Sequence, residues 1–291
     1  MLTDEIMRQV RLLEVRTRRS VTETFAGEYR SAFRGRGMEF DEVREYQPGD
    51  DVRSIDWNVT ARAGKPYIKR FVEERELTVM LAVDLSGSGR FGSVARTKNE
   101  LAAELCAVLA FAATGASDKV GAMIFTDEVE LFIPPAKGRR HALRIVRDVL
   151  AFEPRRRGTD IAASAQHLSR ALKKRAVIFM LSDFLDEGYD TALALLKRKH
   201  DLVAIRTEDP LELELPPVGL VEFEDAESGR LVVVDTLSKR ARKDYKAAGL
   251  RRRGDAETGL RRLGLDQALV RTGEPYIHTL VELFRRREQR R

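Results

Sequence analysis

Four apolar runs of strand length, each with a single polar residue at one end (Thr78, Lys119, Ser182 and Arg206) and spaced by helical periods, constrain this chain more than any other feature. They are residues 78–83, 119–125, 176–182 and 202–206. None alternates apolar with polar residues, so none reads as a strand with one wet face. Continuous apolar runs of this length suit parallel strands covered on both sides. Between them, apolar residues recur every three or four positions: Leu101, Leu105, Val108 and Ala112; Leu143, Val146 and Leu150; Ile161, Ala165, Leu168 and Leu172; Tyr189, Leu193 and Leu196. That spacing predicts helices with one buried stripe. Strand–helix alternation predicts an α/β fold with a doubly wound, mostly parallel sheet. Val129-Glu-Leu-Phe-Ile, just after the turn at 126–128, predicts a short antiparallel edge strand. A chain of 291 residues that is 43% hydrophobic has the material for such a core.

The flanking segments read differently. Leu2, Ile6, Val10 and Leu13 sit at helical spacing. Residues 24–76 are broken by Gly27, Gly35, Gly37, the turn Gln47-Pro48-Gly49-Asp50 and Ala63-Gly64-Lys65-Pro66. The expectation is a division at 76/77: an N-terminal helix with a small, mostly β region over 1–76, and the sheet domain over 77–291. Residues 211–236 interrupt the domain with two apolar segments around an acidic, glycine-containing stretch, which predicts a hairpin-like insertion. A charged helix follows from about 238, then a last strand near 267–272. A final helix opens at Glu274-Pro275 and faces Ile277, Leu280, Val281 and Phe284 inward.

The chemistry gathers where apolar runs end. Asp84-Leu85-Ser86-Gly87-Ser88 follows the first run, Thr159 precedes a helical period, and Asp183 follows the third run. In an open parallel sheet such loops meet at the carboxyl edge. Five oxygen-bearing side chains without histidine or cysteine suit a hard cation, Mg²⁺ or Mn²⁺. The plain alternative is that Asp84 to Ser88 form only a turn after a strand. His141, His167, His200 and His278 show no ligand or triad spacing, and no phosphate-cradling glycine loop is present. Much of the excess behind the net charge of +6 is local, in Arg251-Arg252-Arg253, Arg261-Arg262, and Arg285-Arg286-Arg287 with Arg290-Arg291. Such runs are either contacts to phosphates or acidic lipid heads, or solvated helix faces. The lone Cys106 excludes an internal disulfide and reads as core packing. The charged N-terminus lacks a signal-peptide core, and no apolar stretch is long enough to span a bilayer. A cytoplasmic protein is expected.

These residues resemble the metal-ion-dependent adhesion site of von Willebrand factor A domains. That pattern is Asp-x-Ser-x-Ser, then Thr, then Asp, matched by Asp84, Ser86, Ser88, Thr159 and Asp183. A second resemblance lies upstream. Gly27, Ser31, Phe33, Gly35, Gly37, Glu39 and Phe40, then Arg44, Tyr46, Gly49, Asp50, Asp51, Arg53, Ile55, Asp56 and Trp57, are similar to the signature of domain-of-unknown-function 58 proteins. It departs at Gly89, where relatives often carry Met. The resemblance implies a von Willebrand factor A-like fold and a non-enzymatic, metal-dependent protein–protein interaction module. It further implies an adaptor or chaperone-like cofactor of a MoxR-type AAA+ ATPase. An acidic residue of that ATPase or of a client protein would complete the metal shell. Two other readings remain open: a Mg²⁺-dependent hydrolase using Asp84 as nucleophile or base, and a nucleic-acid binder using the arginine runs. The cluster Arg44, Asp50, Asp51, Arg53, Asp56 and Arg62 is read as a structural ion-pair network, with Trp57 as an apolar anchor, against a catalytic carboxylate cluster.

Overall fold

A computed structural model describes residues 8, 10, 12, 13, 23–33, 39–72, 76–93, 96–224 and 229–290. In chain order, the helix α1 (Glu23–Ala32) is followed by β1 (Glu39–Glu45), α2 (Trp57–Ala63) and β2 (Tyr67–Val72). Then come β3 (Thr78–Asp84), α3 (Lys98–Gly115), β4 (Lys119–Phe125), β5 (Val129–Ala136), α4 (Arg139–Leu150) and α5 (Ile161–Ala171). The chain continues through β6 (Val177–Ser182), α6 (Asp190–Lys199), β7 (Asp201–Glu208), β8 (Leu220–Glu224) and β9 (Leu231–Asp235). It ends with α7 (Lys239–Arg262), β10 (Asp266–Arg271) and α8 (Ile277–Gln289). Two compact units result: Arg34–Leu77, and the remainder.

The larger unit is built on a six-stranded sheet in the order β10-β7-β6-β3-β4-β5. All pairs are parallel except β4 with β5. The apolar runs are explained by cover on both faces. Met80 and Ala82 of β3 join Ile161 and Leu168 of α5, Leu193 and Leu196 of α6, and Leu260 of α7 in one cluster. Their neighbours Val79, Leu81 and Val83 are equally buried, so no period of two survives in the sequence. Across β6, Phe179 meets Phe33, which packs edge-on against Phe284 of α8 with ring centroids 5.2 Å apart. The helix α3 is apolar nearly all round and buried accordingly. A capping box of Thr97 and Glu100 fixes where it begins.

The strand order carries the functional consequence. From β3 the chain builds outward to β4 and β5, then returns to β6 on the other side of β3. The order therefore reverses between β3 and β6. In sheets of this type ligands bind in the crevice at the carboxyl ends of such a pair.

The expected division at 76/77 differs from the observed one. Residues up to Phe33 belong with the sheet. Phe25, Tyr29 and Phe33 lie four apart, making one aromatic stripe on and just beyond α1 that packs on Phe284. Of the expected first helix only Arg8, Val10, Leu12 and Leu13 are described, all helical, with Val10 buried against Ala107 and Val146; Leu2 and Ile6 lie outside the described residues. The insertion forms the antiparallel pair β8–β9. The helix α7 is tightly seated: a Cβ at Gly249 would come within 2.5 Å of the Glu212 carbonyl oxygen. No helix among the described residues is long and apolar enough to cross a membrane.

The smaller unit pairs β1 with β2 antiparallel. Arg44 holds Asp50 through two hydrogen bonds of 2.6 and 2.9 Å. Asp51 caps the turn Val52–Ser54, and Asp56 caps α2 by accepting from the Asn58 and Val59 N–H groups. Trp57 is 70% exposed, which corrects its reading as an apolar anchor. It occupies the first helical position after the Asp56 cap.

Candidate metal centre at the carboxyl edge of the sheet

Asp84 is the last residue of β3, and Asp183 follows the last residue of β6, so the two acids flank the point where strand order reverses. Backbone bonds stitch the surrounding loops together. Leu85 N–H donates to the Phe125 carbonyl at 3.1 Å, Gly87 N–H to the Arg157 carbonyl at 2.8 Å, and Asp160 N–H to the Thr126 carbonyl at 2.9 Å.

Four side chains and one backbone N–H form a continuous series of contacts with Asp84. Ser182 Oγ donates to Asp84 Oδ2 at 2.6 Å, and Ser86 N–H donates to Asp84 Oδ1 at 2.9 Å. Ser86 Oγ and Ser88 Oγ lie 3.2 Å apart. Ser88 Oγ donates to Asp183 Oδ2 at 2.8 Å. Four of the five expected residues are thus brought together. Thr159 is half-buried on the adjoining loop, and its hydroxyl bonds to no described residue. It does not open the helix: Asp160 is the cap of α5, accepting from Ala163 N–H at 2.6 Å.

Three participants were not singled out from the sequence. Lys98, the first residue of α3, is 2% exposed and donates to Asp183 Oδ2 at 2.9 Å and to Glu212 Oε1 at 2.5 Å. Glu212 sits in the short turn Pro210–Glu212 after β7. Ser182 closes the far side of Asp84. The overlooked signal was Lys98 itself. A cation in the first turn of a helix opposes the macrodipole, so it needs a partner there.

Electrostatics distinguish the acids. Burial raises the Asp84 carboxyl, the Asp183 charge raises it further, and it reaches about 6 despite hydrogen bonds from Ser182 and Ser86. Burial would also raise Asp183, but the Lys98 ammonium with the Ser88 and Leu185 donors outweighs it, and the carboxyl is held below its ordinary value. Glu212 is raised by burial in spite of Lys98.

A cavity of about 10 Å³, the size of one water or ion, is lined by Asp84, Ser88, Lys98, Asn99 and Asp183. Asn99 Oδ1 is buried without a hydrogen-bond partner among the described residues. Gly89 lets it approach, since a Cβ there would lie 1.9 Å from that oxygen. The oxygens of Asp84, Ser88, Asn99 and Asp183 fit a hard dication, with the Lys98 ammonium beside them as its competitor for Asp183. No group of three or more His, Cys, Asp or Glu arranged for a metal occurs among the described residues; the set here rests on two carboxylates with hydroxyls.

Half of the arginines in these runs are tied into ion pairs among the described residues. Arg253 faces Glu208, Arg261 binds Glu257, Arg285 binds Glu28, and Arg287 binds Asp201 and Asp266.

Fold and crevice together define a mixed α/β domain whose site lies where strand order reverses. Residues 42–255 match the family described as Protein of unknown function DUF58, and the chain belongs to that family. Uncharacterized proteins of Mycobacterium tuberculosis and Mycobacterium bovis are each 31% identical over 283 residues, covering 96% of this chain and 89% of theirs. Among solved structures, the chain is similar to BatB from Bacteroides thetaiotaomicron, at 15% identity and a TM-score of 0.48, covering 73% of this chain and 99% of that one. It is also similar to the SpRpn10 VWA domain, at 13% identity and a TM-score of 0.40, covering 72% and 95%.

Proposed function

We propose that this protein is a metal-dependent protein-interaction module. Asp84, Ser86, Ser88 and Asp183, with Thr159 from the adjoining loop, would hold Mg²⁺ or Mn²⁺. The ion would supply an open coordination position for a carboxylate of the partner. The observation that carries this reading is the unbroken contact chain Ser182–Asp84–Ser86–Ser88–Asp183 at the strand-order reversal. The protein's own groups do the positioning. Ser182 and the Ser86 N–H orient Asp84, while Lys98 and Ser88 orient Asp183. The partner we favour is a MoxR-type AAA+ ATPase or its client, with this chain as a cytoplasmic adaptor or chaperone-like cofactor. Support for that partner is the resemblance of the motif-bearing segments, together with membership of the family.

A hydrolase is less well supported. Both Asp84 oxygens are already engaged, and a nucleophile paired with a base is missing from the described residues around it. Titration calorimetry with Mg²⁺ and with Mn²⁺ tests the metal. One site is expected, lost in Asp84→Ala and weakened in Ser86→Ala; equal binding by wild type and Ser86→Ala/Ser88→Ala would sink it. Pull-down with and without EDTA tests the partner. Capture that survives both EDTA and Asp84→Ala would place the interface elsewhere.

A further inference from the structure

Beside the metal crevice lies a second cavity, of about 60 Å³, between the end of β7 and the middle of α7. Asp183 and Thr207 line both, so the two spaces adjoin. Three arginines line the larger one: Arg206, Arg252 and Arg253. Arg206 is the unusual member. It stands on a strand whose neighbouring residues Val203, Ala204 and Ile205 are core, and it is itself 5% exposed. Its terminal nitrogens reach the Arg253 carbonyl at 3.1 Å and Glu257 at a long 3.4 Å. Its Nε is buried with no partner among the described residues. A guanidinium hydrogen-bonded this incompletely is costly to bury.

The acids of the same cavity do not compensate for it. Glu208 is taken by Arg271 at 2.8 Å and faces Arg253 at 3.7 Å. Asp183 and Glu212 share Lys98. Glu257, which does not line the cavity, pairs with Arg206 at 3.4 Å and more closely with Arg261, at 2.6 Å. Arg252 forms no salt bridge with any described residue, and it stands exposed at the cavity rim. Three acids and three arginines line the cavity; each acid already has a cation at hand, and Arg252 has no acid of its own, beside a site proposed to receive an acid.

We propose that this cavity is an anion seat for a second carboxylate of the same partner segment, with Arg252 as the accessible contact and Arg206 as the buried one. Guanidinium groups are suited to carboxylate recognition by their planar fork of donors. The partner segment would then carry two neighbouring acids, one at the ion and one at the arginines. The inference rests on the reading above for the first acid alone.

The test uses the full chain and two short peptides with blocked ends, one carrying adjacent glutamates and the other glutamate followed by glutamine. Calorimetry in Mg²⁺ should show the two-acid peptide binding about tenfold more tightly than the one-acid peptide, an expected size for one charge-assisted contact. Arg252→Glu should abolish that preference while leaving Mg²⁺ affinity and one-acid binding in place. Equal binding of the two peptides by wild type, or a preference that persists in Arg252→Glu, would overturn the proposal. Absence of any Mg²⁺ heat with wild type would instead defeat the metal reading. The peptides compared in EDTA would then still decide the arginine seat, by the presence or absence of a two-acid preference that depends on Arg252.

Discussion

Replacing Lys98 by methionine removes the ammonium that Asp183 and Glu212 share. The side chain is 2% exposed, against 8% for Asp183 and 23% for Glu212, so solvent screens the triad little. Removing one partner of a buried ion pair costs about 3–5 kcal/mol, because the remaining charge is left uncompensated. For a unit of this size that corresponds to a fall of roughly 6–20 °C in melting temperature. Methionine keeps the length and apolar stem of lysine, so packing loss contributes little.

The same substitution should act in the opposite direction on metal binding. With its tethered competitor gone, Asp183 offers Mg²⁺ a freer carboxylate. Mg²⁺ at about a hundred times its dissociation constant then adds about 2.7 kcal/mol of stability. The assay is thermal melting of wild type and Lys98→Met in EDTA and in excess Mg²⁺, beside Mg²⁺ calorimetry. The expected pattern is a large loss in EDTA, much of it restored by Mg²⁺, and tighter Mg²⁺ binding by the variant. Arg144→Met serves as control, since Arg144 is 58% exposed, Asp148 keeps Arg147 as a partner, and i,i+4 pairs of this kind contribute about 0.3–0.5 kcal/mol. Lys98→Met melting within 2 °C of wild type in EDTA would refute the reasoning.

Three further outcomes are expected. Arg287→Met should cost about 3–5 kcal/mol in urea unfolding, because it removes a 5%-exposed guanidinium from between Asp201 and Asp266 and from over the Phe33 ring; a loss below 1 kcal/mol would contradict this. Gly89→Ala should destabilise by about 1–3 kcal/mol through collision with Asn99 Oδ1, and Asn99→Ala in the same chain should recover most of it; a double variant no better than the single would place the strain elsewhere. Mg²⁺ affinity should fall as pH drops through about 6, where Asp84 takes up its proton. Its folded-state value lies above the ordinary carboxylate value, so its contribution to metal-free stability is full at low pH and is lost as pH rises through about 6. Melting in EDTA and calorimetry across pH 5–8 check both signs.

The parallel strands were legible because β3, β4, β6 and β7 are buried on both faces, which leaves runs that no amphipathic element produces. Placing Asp84, Ser86, Ser88 and Asp183 together needed only those strand ends and the rule for crevices. Lys98 and Glu212 were less accessible. Their meeting depends on the start of α3, the loop after β6 and the turn after β7 arriving at one point, and no local spacing encodes that. The helix α1 was hidden by Gly27, which breaks the apparent pattern yet sits in open space and leaves the stripe Phe25–Tyr29–Phe33 intact. Trp57 was misjudged because size alone does not bury a side chain; its neighbour Asp56 supplies the cap and is itself buried.

The balance of charge separates an ion site from a structural staple. A staple would pair each acid with a base, as Arg287 does with Asp201 and Asp266. At the crevice three carboxylates, Asp84, Asp183 and Glu212, face one ammonium, and that ammonium reaches only two of them. Asp84 is left with a hydroxyl and a backbone N–H for company, at 8% exposure. Burying a carboxylate on those terms is unfavourable, and the fold answers by holding its proton more tightly. A dication held as proposed beside Asp84 and Asp183 would remove the need for that proton and supply the missing positive charge. The residue with no cationic partner is the one that opens the Asp-x-Ser-x-Ser sequence, so the uncompensated charge lies where an ion would do most for stability and where its loss would be felt first.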